Sequence, residues 1–330
     1  MKRIIFLTLF LSLLLPSCNR DNFNDQYFDV NELVDISTIG NLNEITAKNE
    51  KELEWYRSQI KQKGLWHLVE VAFPNAKSEM VTLESGLTIR KVNEHYVIGD
   101  MVLTEEQVKE FYEESGTGLT VDFDKMVSTK GVVLWQPGKY RWPNNTVYYQ
   151  TPINLTPRTL TAVVEALHHW RTNTVFSFQP RTTQKDYIEF INGNGCWSYV
   201  GRIGGKQQIS IDALWGDTGN AIHEIGHAVG LQHEHQKQNR DSHITYNESN
   251  VRPGMRSNFT RITNNYIQHV AFDFGSVMLY SSHLFDEVEE VYDRTIPVLR
   301  RKDNNGVWIA QRNGLSAMDI DMVFTLSIAP

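Results

Sequence analysis

Three histidines, a glutamate and a glycine at fixed spacing constrain this chain more than its composition does. The sequence contains His223-Glu224-Ile225-Gly226-His227-Ala228-Val229-Gly230-Leu231-Gln232-His233. Histidines four apart on a helix lie about 40° apart around its axis, on one face. Their imidazoles can therefore meet one metal ion, and imidazole nitrogen is a preferred zinc donor. A helix cannot bring a third ligand, six residues beyond His227, to the same point, so the chain must turn first. Gly230 is placed for that turn, because glycine readily enters the left-handed conformation that ends helices. His233 then reaches the metal from the other side. Three protein ligands leave one coordination position open, as a catalytic zinc site requires. Glu224 lies too far round the helix to be an equal ligand. It is placed to take a proton from water that zinc has made acidic.

The chain around this motif is long enough for more than one ordinary domain, at 330 residues. Charge is unevenly spread: residues 19–125 carry a net −10 and residues 126–330 a net +1. Two parts with separate roles are expected, and neither has the basic field that nucleic-acid binding needs. In the first part, residues 19–45 suggest a tether and residues 46–63 a helix. Residues 79–103 alternate as short strands, and Thr104 caps a short helix with Gln107 completing a capping box. Beyond residue 126, strands are expected at Val132–Trp135, Thr146–Tyr149, Tyr187–Ile191 and Gln208–Ile211. One helix should start at Thr156-Pro157 and bury Leu160, Val163, Val164, Leu167 and Trp170. A second should run from about Gly219 to Gly230. Strands and helices mix without strict alternation, which points to an α+β class.

The N-terminus has the form of a targeting segment. Lys2 and Arg3 precede an apolar run from Ile4 to Leu15, too short to span a bilayer. Leu15-Pro16-Ser17-Cys18 then resembles a bacterial lipobox. That resemblance implies a lipoprotein signal peptide over 1–17, a lipid anchor on Cys18, and export to a bacterial outer membrane or cell surface. Release of a secreted form would follow removal of a prosegment. The second cysteine, Cys196, is expected to be a free, buried thiol.

The zinc motif continues as Glu234-His235-Gln236-Lys237-Gln238-Asn239-Arg240-Asp241. Together the two stretches resemble the extended signature HExxHxxGxxHExxRxDRD of the astacin family of metzincin proteases. Lys237 and Asn239 depart from the usual Arg and Asp, at positions that support the ligands and do not bind metal. Ser276-Val277-Met278-Leu279-Tyr280 is similar to the family's Met-turn. Gly195-Cys196-Trp197-Ser198-Tyr199-Val200-Gly201-Arg202 is similar to the segment whose edge strand pairs with substrate. Tyr96-Val97-Ile98-Gly99-Asp100-Met101 resembles the prosegment motif in which an aspartate blocks the zinc.

This resemblance implies a metzincin-type zincin fold, two lobes around an active-site cleft, preceded by a prosegment. It implies a zinc metalloendopeptidase acting on proteins or peptides, with residues 18–125 as tether and inhibitory prosegment and residues 126–330 as catalytic domain. His223, His227 and His233 would hold Zn2+, Glu224 would be the base, and Tyr280 would hydrogen-bond the oxyanion. Asp100 would be a zinc ligand in the latent form. The glutamate matching Glu234 helps position the mature N-terminus in the family. A competing reading is a surface-anchored binding protein that keeps the protease fold without turnover.

Overall fold

A mixed sheet of nine strands runs through the described part of the chain. The computed structural model describes residues 72–73, 76–113, 134–135, 139–213, 216–264, 266–268, 271–284, 291–293 and 295–328. They belong to one compact unit, Ile45–Pro330. The targeting segment, Cys18, the tether and the helix expected over 46–63 lie outside the described residues.

The first four strands form an antiparallel meander. They are β1 (Glu79–Thr82), β2 (Thr88–Val92), β3 (His95–Ile98) and β4 (Met101–Leu103). The short helix α1 (Glu105–Val108) follows, with the reciprocal Thr104–Gln107 capping box in place. After β5 (Leu134–Trp135) come β6 (Thr146–Gln150) and helix α2 (Pro157–Asn173). Then follow β7 (Ser177–Pro180), β8 (Tyr187–Gly193), β9 (Trp197–Tyr199) and β10 (Lys206–Asp212). The sheet order is β1-β2-β3-β4-β9-β10-β8-β6-β7. Between β4 and β9 the pairing is parallel, with Met101 opposite Ser198 and Val102 opposite Tyr199. The stretch expected to present a free edge for substrate is thus covered by the acidic first part of the chain.

That covering is apolar as well as hydrogen-bonded. Ile89, Ile98, Met101, Leu103 and Phe111 pack in one cluster with Tyr140 and Val200. Val92, Val97 and Val102 pack in another with Trp197 and Tyr199. Burial of this kind contributes roughly 1.5–3 kcal/mol per large side chain relative to exposure.

Helix α2 starts as expected, with Thr156 capping and Pro157 at its first position. Its buried face differs from the expected one. Thr159, Ala162, Val163, Ala166, Leu167 and Trp170 are buried, whereas Leu160 and Val164 are 43% and 56% exposed. Ala162 and Ala166 share one core cluster with Ala221, Ile222 and Ile225 of the next helix. The partner is α3 (Thr218–Val229), capped by Asp217 and buried from Gly219 to Val229. Such all-round burial marks a helix inside a core. Two tryptophans fix it: Trp170 Nε1 donates to Ile222 C=O at 3.1 Å and Trp142 Nε1 to Ala228 C=O at 2.8 Å.

Beyond α3 the chain is mostly irregular. Short 3-10 turns lead to β11 (Ile244–Tyr246) and β12 (Tyr266–Ile267), which pair with β13 (Leu299–Arg301) and β5. Helix α4 (Ala317–Ile328) follows. A separate apolar cluster, including Ile244, Phe259, Phe272, Leu279, Leu299 and Trp308, holds this second lobe. The fold is α+β with two lobes, as expected of a zincin.

Gly230 closes α3 at φ +114. Its N–H donates to His227 C=O at 2.8 Å, and Leu231 N–H donates to Gly226 C=O at 2.9 Å. This is the Schellman arrangement, and a side chain at Gly230 would be strained. Gly230→Ala is expected to lower stability by about 1–2 kcal/mol, read as a lower urea midpoint at unchanged slope.

Candidate metal centre

α3 puts His223 and His227 one turn apart, with ring centroids 4.7 Å apart. The turn at Gly230 brings His233 back, its ring 4.7 Å from His227 and 5.4 Å from His223. All three side chains are fully buried. His223 Nδ1 lies 2.7 Å from Val277 C=O and His227 Nδ1 2.8 Å from Leu231 C=O. A carbonyl only accepts, so each Nδ1 carries the proton and each Nε2 offers its lone pair inward. Burial, the largest cause, pushes His227 down to about 4 and lowers His233. His227 and His233 are therefore neutral near pH 7, the state a metal needs.

Asp100 faces these nitrogens from the first part of the chain, 123 residues before His223. Its carboxylate oxygens lie 3.1 Å from His223 Nε2, 3.4 Å from His227 Nε2 and 3.0 Å from His233 Nε2. Burial alone would raise its carboxyl. The nitrogens of His233, His227 and His223 that face it at these distances outweigh burial and hold the group well below the usual range. Asp100 occupies the tight turn between β3 and β4, where Gly99 adopts φ +64.

The donor set fits a zinc ion. Four ligand atoms lie within 4.8 Å of one another. Tetrahedral zinc with bonds of about 2.0–2.1 Å puts ligand atoms about 3.3 Å apart. One buried carboxylate among three imidazole nitrogens also makes a place for the charge that a divalent cation supplies.

Glu224 is fully buried, and neither carboxylate oxygen has a hydrogen-bond partner. Its carboxyl is raised well above the usual range, by burial first and then by the charge of Asp100. Tyr280 is also buried, its ring 4.5 Å from His233 and 4.2 Å from His235. Every residue singled out in the sequence for this centre is thus in one place. Cys196 is a buried free thiol, and it accepts a hydrogen bond from Asp212 N–H at 3.4 Å.

The Met-turn lies under α3. A Cβ on Gly226 would meet Met278 Sδ at 2.7 Å, so the absent side chain lets Met278 approach. The buried carboxylate of Asp319 holds the turn, accepting from Ser276 O–H, Val277 N–H and Ser316 N–H at 2.7, 2.9 and 2.9 Å. Since Val277 C=O orients His223, Asp319 supports a ligand through one peptide unit. Sequence reasoning missed it. Its signal was the spacing Ser316-x-x-Asp319, a capping box whose return bond, Asp319 N–H to Ser316 Oγ, is 2.9 Å.

Lys237, which replaces the usual Arg, stays in the support network. It is buried with Nζ 3.1 Å from Glu234 Oε1, and the same oxygen accepts Asp273 N–H at 2.7 Å. Burial pushes the Glu234 carboxyl up to about 8, against the lowering effect of Lys237.

Residues 135–326 match the model of the Astacin peptidase family. This chain belongs to the astacin family. The matched segment is an astacin-type zinc metallopeptidase domain. Zinc metalloproteinase nas-12 of Caenorhabditis elegans is 34% identical, over 65% of this chain and 54% of its own length. Blastula protease 10 of Paracentrotus lividus is 33% identical, over 68% of this chain and 37% of its own. The chain thus spans about half or less of these relatives. Among solved structures, the hatching enzyme zinc-protease high choriolytic enzyme 1 of Oryzias latipes is 27% identical. It covers 60% of this chain and 95% of its own, with a TM-score of 0.50.

These relatives correct one expectation. They come from a nematode, a sea urchin and a fish, and other matches from mouse and human. They overturn the reading of a bacterial lipoprotein-type precursor placed at a bacterial outer membrane or cell surface. The cause of the error is physical: an apolar run followed by a small residue and a cysteine is common to many export signals, and four residues carry little information.

Removing the Asp319 carboxylate leaves buried donors without an acceptor. Asp319→Ala is expected to cost about 1–3 kcal/mol of stability. It should also speed zinc loss to a chelator, measured as the rate of metal release.

Proposed function

We propose that this chain is a zinc-dependent endopeptidase made as a latent precursor, with Glu224 as general base and Asp100 as the blocking ligand. The observation that carries the reading is the convergence of three imidazole nitrogens and the Asp100 carboxylate beside a buried, unpartnered Glu224. His223, His227 and His233 would hold the zinc in the active form. Bound there, zinc supplies Lewis-acid charge, which makes water acidic and polarises a carbonyl.

The chain's own residues do the rest. Glu224 takes the proton of the attacking water and returns it to the leaving amine. Its carboxyl, raised by burial first and then by the charge of Asp100, holds a proton more readily than an ordinary carboxylate, which suits the return of that proton to the leaving amine. When Asp100 leaves, its repulsion of Glu224 leaves with it, so a larger fraction of Glu224 is ionised and able to accept a proton. Tyr280 donates its phenolic hydroxyl to the oxyanion that develops on the attacked carbonyl.

The substrate is an extended protein or peptide segment, laid along β9 by main-chain hydrogen bonds. β4 uses that same edge in the precursor, so substrate and latency segment exclude one another. In this reading residues 18–125 form the tether and prosegment and residues 126–330 the catalytic domain. Activation requires a cut near residues 120–133, around Lys125 or Lys130, a stretch outside the described residues.

Two variants test the assignments. Glu224→Ala should retain one zinc per chain and lose casein cleavage by about 10²–10⁴-fold. Zinc retained with full cleavage would remove Glu224 from the mechanism, and zinc binding without cleavage in the unmodified active form would favour the binding-protein reading. Asp100→Ala in the uncleaved precursor should raise cleavage roughly tenfold or more, since one lost interaction of ~1.4 kcal/mol is a factor of ten. A precursor no more active than the unmodified one would defeat the latency assignment.

A further inference from the structure

The Gly99–Asp100 turn is held from three directions. Ala72 N–H, which belongs to no strand, donates to Gly99 C=O at 2.8 Å, and across the β4–β9 pairing Ser198 N–H donates to Asp100 C=O at 3.1 Å. The third hold comes from the second lobe. Gly99 N–H donates to the side-chain Oδ1 of Asn258 at 2.8 Å, across 159 residues of sequence. Asn258 is 4% exposed and sits in the 3-10 turn Pro253–Phe259 of the second lobe.

The same residue is tied to the metal loop by its main chain. Asn258 C=O accepts from Gln236 Nε2 at 3.2 Å and lies 3.0 Å from His235 Nε2. His235 in turn stacks against His233, with ring centroids 5.1 Å apart. One face of Asn258 therefore touches the turn that carries Asp100, and the other touches the loop that carries the third histidine.

We propose that Asn258 is the catalytic domain's positioning residue for latency: its side-chain carbonyl anchors Gly99 and so aims the Asp100 carboxylate at the three histidines. The proposal rests on the reading of Asp100 as the latency ligand. The physics is that of a short lever. Asp100 is buried, and its contacts with the imidazoles need placement within a few tenths of an ångström. The β3–β4 ladder fixes the turn along the sheet but leaves rotation about the strand axis. A bond from Gly99 N–H to the second lobe removes that rotation. It also satisfies a buried donor that has no place in the ladder. The anchor acts on the precursor alone, because Gly99 departs with the prosegment.

The test uses the uncleaved full-length chain carrying Asn258→Ala, read by casein cleavage and by amide hydrogen exchange. Residual cleavage should rise about tenfold, the factor that corresponds to ~1.4 kcal/mol. The Gly99 amide should lose protection while amides of β8 and β10 keep theirs. In the Asp100→Ala background, Asn258→Ala should add no further cleavage, because no carboxylate remains to be aimed. If Asp100→Ala activates but Asn258→Ala neither leaks nor frees the Gly99 amide, the Asn258 proposal alone is wrong. Equal loss of protection across β8 and β10 would also overturn it, by reducing Asn258 to general support. If Asp100→Ala itself stays inactive, the latency reading fails and this proposal with it.

Discussion

Four side chains converge on one buried point, and the placement of almost everything else follows from that convergence. Three imidazoles and one carboxylate are a poor filling for a protein interior. They become a favourable one when a divalent cation sits among them, because each lone pair then has a partner. The fold orients each donor. Val277 C=O and Leu231 C=O take the outer protons of His223 and His227, and Asp319 holds the peptide that presents Val277. α3 can be buried on every side because Asn220 is taken up in the Asp217 capping box and His223, Glu224 and His227 face this centre.

The first part of the chain is joined to the second by sheet and core together. β4 extends the catalytic sheet, and Ile98, Met101 and Leu103 share a cluster with Val200 and Tyr140. A free strand edge invites pairing with other chains, and here β4 covers the β9 edge. The net −10 of residues 19–125 gave the expectation of two parts with separate roles. Residues 76–113 of that stretch pack into one sheet and shared apolar clusters with the residues that follow. Net charge reports the surface of such a segment, whereas its buried strands are apolar.

In the sequence, the centre was legible before the fold. The spacing of His223, Glu224, His227, Gly230 and His233 encodes a local geometry, one helical face and one left-handed turn, and local geometry is what spacing can carry. Thr104, Thr156-Pro157 and the α3 boundaries were legible for the same reason. The buried face of α2 was not. Leu160 and Val164 fit a helical stripe as well as Ala162 and Ala166 do, and the close approach of α3 decided between them. The position of Lys237 was marked as a departure, but its burial against Glu234 became visible only in three dimensions.

By itself the sequence determined the metal ligands, the α+β class and the family, because each is written in residues near one another along the chain. Tertiary structure decided what depends on contacts between distant segments. It brought Asp100 across 123 residues to His223, laid β4 along β9, and placed Asn258 against Gly99. No periodicity or spacing encodes such contacts. They arise where two surfaces, each formed locally, bury apolar area and pair their polar groups against one another.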